Sequence, residues 1–386
     1  MTCQIEHNQF DVAMELLIDH GFSGIADAVS ILMNTAMKIE RSRYLKAEPY
    51  ERTDQRQSYA NGYKSKTVKT RVGTVDLAVP QTRDCKFYPQ SLERGLRSER
   101  ALKIALAEMY VQGVSTRKVT KITQELCGFE ISSSEVSRAS KSLDDQLEAW
   151  RDRPLGQFPY VYMDARYESV RHNGVVIDCA VLLAIGISPS GHREVLGVSV
   201  KLSEQEVHWR DFVSSLKDRG LHGVKLFISD AHGGLKAARK AIFPTVPWQR
   251  CQFHLQQNAQ GYVPKRSMKQ EVAGRIRAIF TAPDNQEALR LLDIFLTDYK
   301  DSAPELVAWA EGALPEGLVV FNMPEKHWKR LRTDNMLERL NKEILRRTRV
   351  ATLFPNTASC LRLITAVVME TSEDWVTGKA YLKMSQ

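Results

Sequence analysis

Hydrophobic side chains recur at near-helical spacing over the first forty residues of the chain. Phe10 and Leu16 mark the first run, and Val29 and Leu32 continue the pattern after an interruption by two glycines. The pattern predicts a helical N-terminal element over residues 1–40.

A β-hairpin is predicted in the next segment, residues 41–98. Polar and β-branched residues alternate from Lys66 to Pro80 around Gly73, and one arm is basic. Residues 41–120 contain 17 Lys/Arg and 8 Asp/Glu, a balance of +9. Two interpretations stay open for the strands: a solvated basic surface, or contact with DNA phosphates.

A helix, a tight turn and a second helix are predicted within residues 99–151. Ser115 and either Ser132 or Ser133 stand at the start of helical patterns, and Gly128 lies between the two helices. In a DNA-binding helix-turn-helix, the second helix enters the major groove. That interpretation assigns base edges to Ser133, Ser134, Ser137 and Arg138, and phosphates to Arg117, Lys118 and Lys121. The alternative is two packed helices without DNA contact. The positive charge nearby modestly favours the DNA-binding interpretation.

Apolar runs replace the amphipathic helices after a boundary near residue 152. They predict three consecutive strands followed by alternating helix and strand, which is typical of a mixed α/β sheet. A mostly helical stretch then separates this region from a final pair of helices. The domains expected here are a first part of the α/β core at 152–254, a helical module at 255–330 and C-terminal helices at 331–386.

Two aspartates end predicted strands in the same way. Asp164 follows the apolar residues VYM, and Asp230 follows LFIS. A carboxylate at this end of a buried strand faces the edge of the sheet where α/β proteins bind ligands. An aspartate there can also simply cap the next helix. Two aspartates at matching positions favour a functional site.

Glu338 is the third candidate carboxylate. It lies off the apolar stripe of the predicted helix NMLERLNKEILRR, where a glutamate usually only pairs with a nearby cation. Its surroundings favour a site, because residues 326–350 contain 9 Lys/Arg and 3 Asp/Glu, a balance of +6. The basic residues of this helix that we expect to meet DNA are Arg339, Lys342, Arg346, Arg347 and Arg349.

The three carboxylates point to metal-dependent chemistry. Carboxylate oxygens suit Mg²⁺ or Mn²⁺, and three carboxylates can hold two ions about 3.5–4 Å apart. Such a pair activates a water or a 3′-hydroxyl on one side of a phosphodiester and stabilises the leaving oxygen on the other. The sequence therefore predicts phosphodiester cleavage and strand transfer with Mg²⁺, for which Mn²⁺ substitutes.

Composition and charge indicate the class of binding partner and the cellular compartment. The chain is 43% hydrophobic and 26% charged, as globular proteins are, and its net charge of +8 favours nucleic acid as the partner. No apolar run approaches the roughly 18 residues of a membrane span, so we expect no membrane insertion and a cytoplasmic protein. Cys251 and His254 form a C-x-x-H pair without a second pair nearby, so structural zinc is not expected.

These motifs together resemble the bacterial insertion-sequence transposases of the Mutator type. The resemblance extends from about Glu51 to Leu363 and includes MDARY, ISDAHGGL, CQFHLQQN and RTDNMLERLNKEILRR. It implies an α/β fold in which an all-α insertion interrupts a ribonuclease H-like mixed-sheet catalytic core. Helical and small β DNA-binding regions would precede that core. The first forty residues contain no matching motif.

The resemblance also implies roles for individual residues. It places the DDE triad on Asp164, Asp230 and Glu338, and it assigns Cys251 and His254 to support of the active site. The implied activity is Mg²⁺-dependent cleavage at the terminal inverted repeats of the element and joining of the 3′-hydroxyl to double-stranded target DNA. Because two element ends must be paired, we expect a homodimer on DNA.

An aromatic side chain near the cleavage point is expected to stack on a flipped base. Trp328, beside the basic helix, is the preferred candidate, whereas Trp309 fits a core position equally well. Two other functions stay open. One is a non-catalytic DNA-binding regulator, in which the carboxylates only cap helices, and the other is a ribonuclease H-like nuclease that cleaves without joining.

Overall fold

The computed structural model describes residues 9–84, 86–95, 97–349 and 353–384. The chain divides into two compact units, residues 1–143 and 144–386. The division falls slightly before the boundary expected near residue 152, because the helix over Asp144–Asp152 packs against the C-terminal helix of the second unit. Each unit is described separately.

The first unit contains five α-helices and one β-hairpin among its described residues. The helices are α1 (Gln9–His20), α2 (Ile25–Leu45), α3 (Arg100–Val111), α4 (Thr116–Cys127) and α5 (Ser133–Lys141). A short 3₁₀ helix, Gly21–Gly24, joins α1 to α2. The hairpin consists of β1 (Ala60–Thr70) and β2 (Gly73–Thr82).

The predicted hairpin is present, and α2 packs on one of its faces. Met37 of α2 shares a buried cluster with Val68 and Val75 of the two strands. The backbone N–H of Ala78 donates to Asn34 Oδ1 of α2 at 2.7 Å. Gly73 has a φ of +124°, which glycine adopts without the strain that other residues would meet.

One described helical stretch, residues 9–45, is long and apolar enough to cross a membrane by length and composition alone. This finding differs from the expectation that no such run exists. Core helices of globular proteins and signal sequences pass the same test, and only 11% of this apolar window is buried, with α2 packed on the hairpin. The absence of membrane insertion and the cytoplasmic localisation therefore stay predictions.

Three helices of the first unit form the predicted helix-turn-helix region. Its buried cluster includes Leu106 of α3, Val119 of α4 and Val136 of α5. Ser115 caps α4 by accepting from the backbone N–H of Lys118 at 3.3 Å. Of the two serines expected at the start of α5, Ser132 is the cap, and Glu135 completes a reciprocal capping box with it.

A five-stranded mixed sheet forms the centre of the second unit. Its strands are β3 (Tyr160–His172), β4 (Val175–Ile187), β5 (Arg193–Lys201), β6 (Leu226–Ser229) and β7 (Trp248–Arg250). The spatial order is β5-β4-β3-β6-β7. The first three strands are antiparallel, and β6 and β7 run parallel to β3. The predicted mixed α/β architecture is confirmed.

Helices cover both faces of this sheet. On one face, α7 (Glu206–Asp218) and α8 (Gly233–Ile242) contribute Trp209 and Leu235 to a buried cluster with the strands. The other face meets a later helix, since the hydroxyl of Tyr162 in β3 donates to the backbone carbonyl of Arg330 at 2.9 Å. These layers enclose the core.

The remaining helices of this unit are α6, α9 to α13, and the final pair α14 and α15. Their bounds are α6 (Asp144–Asp152), α9 (Gln252–Ala259), α10 (Lys269–Phe280), α11 (Asn285–Tyr299), α12 (Pro304–Ala313), α13 (Glu325–Leu331), α14 (Asn335–Thr348) and α15 (Thr357–Thr377). Short 3₁₀ helices lie at Arg266–Met268, Leu314–Gly317 and Val319–Asn322. The chain between β7 and α14 is helical, as the sequence predicts for residues 255–330.

Candidate active site at the ends of the parallel strands

Two adjacent parallel strands bring Asp164 and Asp230 to one edge of the sheet. The parallel register pairs Tyr162 of β3 with Ile228 of β6. Two residues further on, Asp230 directly follows β6, whereas Asp164 lies inside β3, which continues to His172 instead of ending at Asp164 as the sequence predicts. Both aspartates line a cavity of about 280 Å³. The structure therefore brings together the first two predicted carboxylates.

Asp164 is held in a partly buried position that disfavours its negative charge. Burial, followed by the nearby charge of Asp334, raises the pKa of Asp164 to about 6. Its Oδ2 accepts a hydrogen bond from Asn341 Nδ2 of α14 at 2.9 Å. Asp230 Oδ1 accepts from the backbone N–H of Ala231 at 2.7 Å. The two aspartates thus contribute carboxylate groups to one cavity.

The helix α14 turns the face that carries Glu338 toward Asp164. Asp334, Glu338 and Asn341 are separated by four and three residues and share one face of the helix. Asn341 contacts Asp164 directly, and the charge of Asp334 acts on it. Glu338 lies between them along the chain, but it is not among the residues that line the cavity. The three predicted carboxylates do not form a cluster with all ligand oxygens within 4.8 Å of one another.

Two charged residues that the sequence analysis did not select also line this cavity. Glu204 precedes α7, and its side chain is 13% exposed with one oxygen 3.5 Å from His232 Nδ1. Arg250 ends β7 and pairs with Glu316 at 3.3 Å. No motif marks Glu204, and Arg250 could have been noticed only as a basic residue beside the C-x-x-H pair.

Cys251 and His254 meet a third residue, Asp334, that the sequence analysis also missed. Cys251 Sγ donates to Asp334 Oδ1 at 3.1 Å, and His254 Nδ1 lies 3.3 Å from Asp334 Oδ2. Asp334 raises the pKa of His254 to about 11, with a further contribution from Cys251. Burial alone would raise the pKa of Asp334, but its bonds from His254 and Cys251 lower it. The cluster is therefore a buried ion pair with a thiol donor.

The Cys251–His254–Asp334 cluster also changes the argument about zinc. Its ligand atoms lie within 4.8 Å of one another, so a possible third ligand exists that sequence spacing did not reveal. Cys251 Sγ is hydrogen-bonded to Asp334 Oδ1, whereas His254 Nδ1 and Asp334 Oδ2 face each other at 3.3 Å without a hydrogen-bond partner. The expectation of no structural zinc stays a prediction.

The donor set at the sheet edge fits a hard divalent cation. Asp164 and Asp230 offer carboxylate oxygens to one cavity, which are the ligands that Mg²⁺ and Mn²⁺ prefer. Burial and the charge of Asp334 raise the pKa of Asp164 although the charge of His254 acts in the opposite direction, so a further positive charge is needed to favour the ionised carboxylate. A bound cation would supply that charge.

Comparison with known proteins identifies the family. The model of the transposases of the Mutator family matches residues 6–378. The chain belongs to the Mutator family of transposases. The resemblance recognised in the sequence and the predicted function, DNA transposition, are both confirmed.

Several curated transposases are similar over nearly their full length. The transposase for insertion sequence element IS406 of Burkholderia multivorans is 54% identical over 387 residues, covering 100% of both chains. The transposase for ISRM5 of Rhizobium meliloti is 43% identical, covering 94% of this chain and 91% of that protein. The transposase for IS256 in transposon Tn4001 of Staphylococcus aureus is 39% identical, covering 90% of each.

Among solved structures, the Mos1 transposase paired-end complex with left transposon end aligns with 64% of this chain and 82% of that chain. The identity is 12% and the TM-score is 0.17. A score this low supports no argument about this transposase.

The DNA-contact candidates of the helix-turn-helix all have exposed side chains, namely Arg117, Lys118, Lys121, Ser133, Ser134, Ser137 and Arg138. Lys121 lies 3.8 Å from Glu125 in an exposed pair that costs little to break. On α14 and just beyond it, Arg339, Lys342, Arg346 and Arg349 are also exposed. These placements leave the basic residues accessible to DNA.

Arg347 differs from the other basic residues of α14. Its side chain is 6% exposed and is paired with Glu343 at 3.0 Å and with Glu370 of α15 at 3.2 Å. A buried guanidinium engaged by two carboxylates stabilises the packing of α14 on α15. We therefore leave Arg347 out of the proposed DNA-contact set.

The two tryptophans considered for base stacking lie in different surroundings. Trp328 Nε1 donates to the carbonyl of Met323 at 2.7 Å, and its ring meets Phe321 edge-on. Trp309 stacks on Tyr262 with ring centroids 5.3 Å apart and an angle of 20°. Both tryptophans are partly buried and already have aromatic partners.

Proposed function

We propose that this transposase binds the terminal inverted repeats of its element and cleaves and joins DNA with Asp164, Asp230 and Glu338 as metal ligands. The observation that carries the proposal is the cavity that both aspartates line, with Asp164 in β3 and Asp230 directly after the neighbouring parallel strand β6. The contact of Asn341 with Asp164 supports the inclusion of Glu338, which lies one turn away on the same face of α14.

The proposed cofactor is Mg²⁺, with Mn²⁺ as a substitute. When bound, such ions activate the attacking oxygen and stabilise the charge of the leaving oxygen. The residues of the chain hold the ligand carboxylates in place. Asn341 orients Asp164, and the Cys251–His254–Asp334 cluster anchors the start of α14. We assign Cys251 and His254 to this supporting role.

We further propose that the sheet is a ribonuclease H-like core. Three antiparallel strands continued by two strands parallel to the first support this assignment. The helices between β7 and α14 would then be the insertion domain, over residues 255–330, and residues 331–386 would complete the core. The preceding regions, 1–40, 41–98 and 99–151, would serve DNA binding.

The exposed basic residues would carry the contacts with DNA. Phosphates would meet Arg117, Lys118 and Lys121 of α4, and base edges would meet the exposed side chains of α5. Trp328 is proposed to lie near the cleavage point. Cleavage of two ends in one complex would require a homodimer, acting in the cytoplasm where bacterial DNA is found.

The first experiment compares Asp164→Asn with Asp218→Asn, a change of an exposed aspartate at the end of α7. Both variants should bind DNA carrying an element end. With Mg²⁺, Asp164→Asn should lose nicking by more than the roughly 10–100-fold that loss of a supporting residue costs, whereas Asp218→Asn should nick normally. Undiminished nicking by Asp164→Asn would contradict the metal assignment.

The second experiment separates the remaining functions. Wild-type protein receives precut 3′-ends together with target DNA and Mg²⁺. Joined product supports a transposase that completes strand transfer. Nicking without joining would favour a nuclease, and binding without either reaction would favour a DNA-binding regulator.

A further inference from the structure

One face of β3 contacts α14, the helix that carries the proposed third carboxylate, Glu338. Alternate residues of a strand point to the same face, and here that face includes Asp164, Arg166 and Glu168. Each of the three contacts α14. Asp164 accepts from Asn341 at 2.9 Å, and Glu168 Oε1 accepts from Thr348 Oγ1 at 3.1 Å.

Arg166 contacts both Asn341 of α14 and Glu168 of its own strand. Its guanidinium donates to the backbone carbonyl of Asn341 and pairs with Glu168 at 2.6 Å. The side chains of Arg166 and Glu168 are only 13% and 11% exposed. A charge pair with so little exposure has little rotational freedom, so it fixes the position of the groups that it contacts.

The contacts hold α14 along most of its length. Glu168 holds Thr348 at the last residue of the helix, Arg166 and Asp164 hold Asn341 near its middle, and Asp334 is held by His254 before its first turn. Glu338 lies between the anchors at Asp334 and Asn341. Its backbone position relative to Asp164 is therefore set by contacts in which Glu338 itself takes no part.

We propose that Asn341, Arg166, Glu168 and Thr348 are positioning residues that set Glu338 against Asp164 for metal binding. The proposal rests on the proposed function of the three carboxylates. A catalytic constellation must be held to within about 0.5 Å, and supporting hydrogen bonds supply that precision. Asn341 contacts two residues of β3. Its side-chain amide donates to Asp164, and its backbone carbonyl accepts from Arg166.

Two substitutions test the proposal with matched controls. Asn341→Leu removes the amide that donates to Asp164 and keeps a side chain of similar size. Thr348→Val removes the hydroxyl that donates to Glu168. Thr348→Ser keeps that hydroxyl. Thr377→Val makes the same chemical change at the exposed end of α15, where the hydroxyl bonds only within its own helix.

The first measurement is the Mn²⁺ concentration that gives half-maximal nicking of element-end DNA. Asn341→Leu should raise it by about 10–100-fold, the usual effect of losing a residue that orients a metal ligand. Thr348→Val should raise it by a smaller factor, and Thr348→Ser should restore it. Binding of the DNA end should be unchanged in all variants, since none of these side chains is a proposed DNA contact.

The second measurement is amide hydrogen exchange across Asn335–Thr348, which does not depend on activity. Exchange should accelerate in Asn341→Leu and Thr348→Val and stay unchanged in Thr348→Ser and Thr377→Val. If Asn341→Leu does not fold, Thr348→Val and its two controls make the same comparison. Unchanged exchange in the variants that fold overturns the proposal.

The results distinguish the positioning role from the proposed function. A wild-type protein that shows no Mn²⁺-dependent nicking counts against the proposed function, and hydrogen exchange still decides whether the contacts hold α14. A wild-type protein that nicks, together with variants of unchanged Mn²⁺ dependence, counts against the positioning role alone.

Discussion

Asp164 of β3 and Asp230, the residue that directly follows the neighbouring parallel strand β6, line the same cavity. The pairing of Tyr162 with Ile228 spans 66 residues of sequence, since 228 − 162 = 66, and 230 − 164 gives the same separation. Extending the register by two residues therefore sets the aspartates side by side, on strands that lie roughly 4.8 Å apart. Parallel pairing explains how residues distant in sequence line the same cavity.

The identity of the third carboxylate gives the first prediction. Glu204 lines the cavity with the two aspartates, whereas Glu338 lies on the face of α14 that contacts Asp164. We expect Glu338→Gln to lower Mg²⁺-dependent nicking at least about 100-fold and Glu204→Gln to lower it less than about 10-fold, since the latter retains a group for His232. Nicking assays at saturating DNA measure both.

The reverse order of these effects would make Glu204 the third ligand. Equal and complete loss in both variants would instead indicate four carboxylates at the site. Element-end binding by each variant serves as the control for folding.

The ion pair of His254 with Asp334 predicts a pH dependence of stability. The pKa of His254 rises from 6.5 to about 11, so the imidazolium is favoured by folding. Its stabilisation is complete below pH 6.5 and is lost as the pH rises through about 11. Because the pKa of Asp334 is lowered, protonation of its carboxylate breaks the ion pair only at acidic pH.

We therefore expect His254→Asn to reduce the free energy of unfolding more at about pH 6 than at about pH 10.5. Urea unfolding of wild type and variant at the two pH values measures the difference. His208→Asn, at a partly exposed position in the first turn of α7 and outside the lining of the cavity, provides a comparison. An equal loss at both pH values would contradict the ion-pair assignment.

The basic residues of α4 predict the salt dependence of DNA binding. Each phosphate contact contributes about 0.9 to the slope of log K against log salt. Replacing Arg117, Lys118 and Lys121 together with Gln should therefore reduce the slope by about 2–3. Binding titrations at several salt concentrations test this, and an unchanged slope would remove these residues from the interface.

We expect a substitution of Arg347 to lower stability, whereas substitutions of its exposed basic neighbours should weaken DNA binding. Arg347→Met removes a buried guanidinium paired with Glu343 and Glu370, and it should lower the stability by about 1.5–3 kcal/mol. Arg349→Gln, at an exposed position, should leave stability nearly unchanged and weaken DNA binding. Thermal unfolding and DNA titration of both variants separate packing from DNA contact.

Local patterns were enough to predict several parts of this transposase. The hairpin around Gly73, the cap at Ser115 and the strand that precedes Asp230 follow from neighbouring residues, and each is present, whereas β3 runs through Asp164 to His172 instead of ending there. Hydrophobic periodicity and capping act over a few residues, so the sequence records them directly.

The tertiary structure decided which distant groups meet. Asp334 joins Cys251 and His254 across more than seventy residues, Asn341 reaches Asp164, and Arg347 is buried by Glu370 on another helix. Each of these contacts depends on how α14 packs, and an amphipathic pattern indicates that a helix is buried on one side without naming its neighbours. The sequence by itself determined the elements, the charge and the family motifs, whereas long-range packing decided the partners, because side-chain contacts between elements depend on their positions in space.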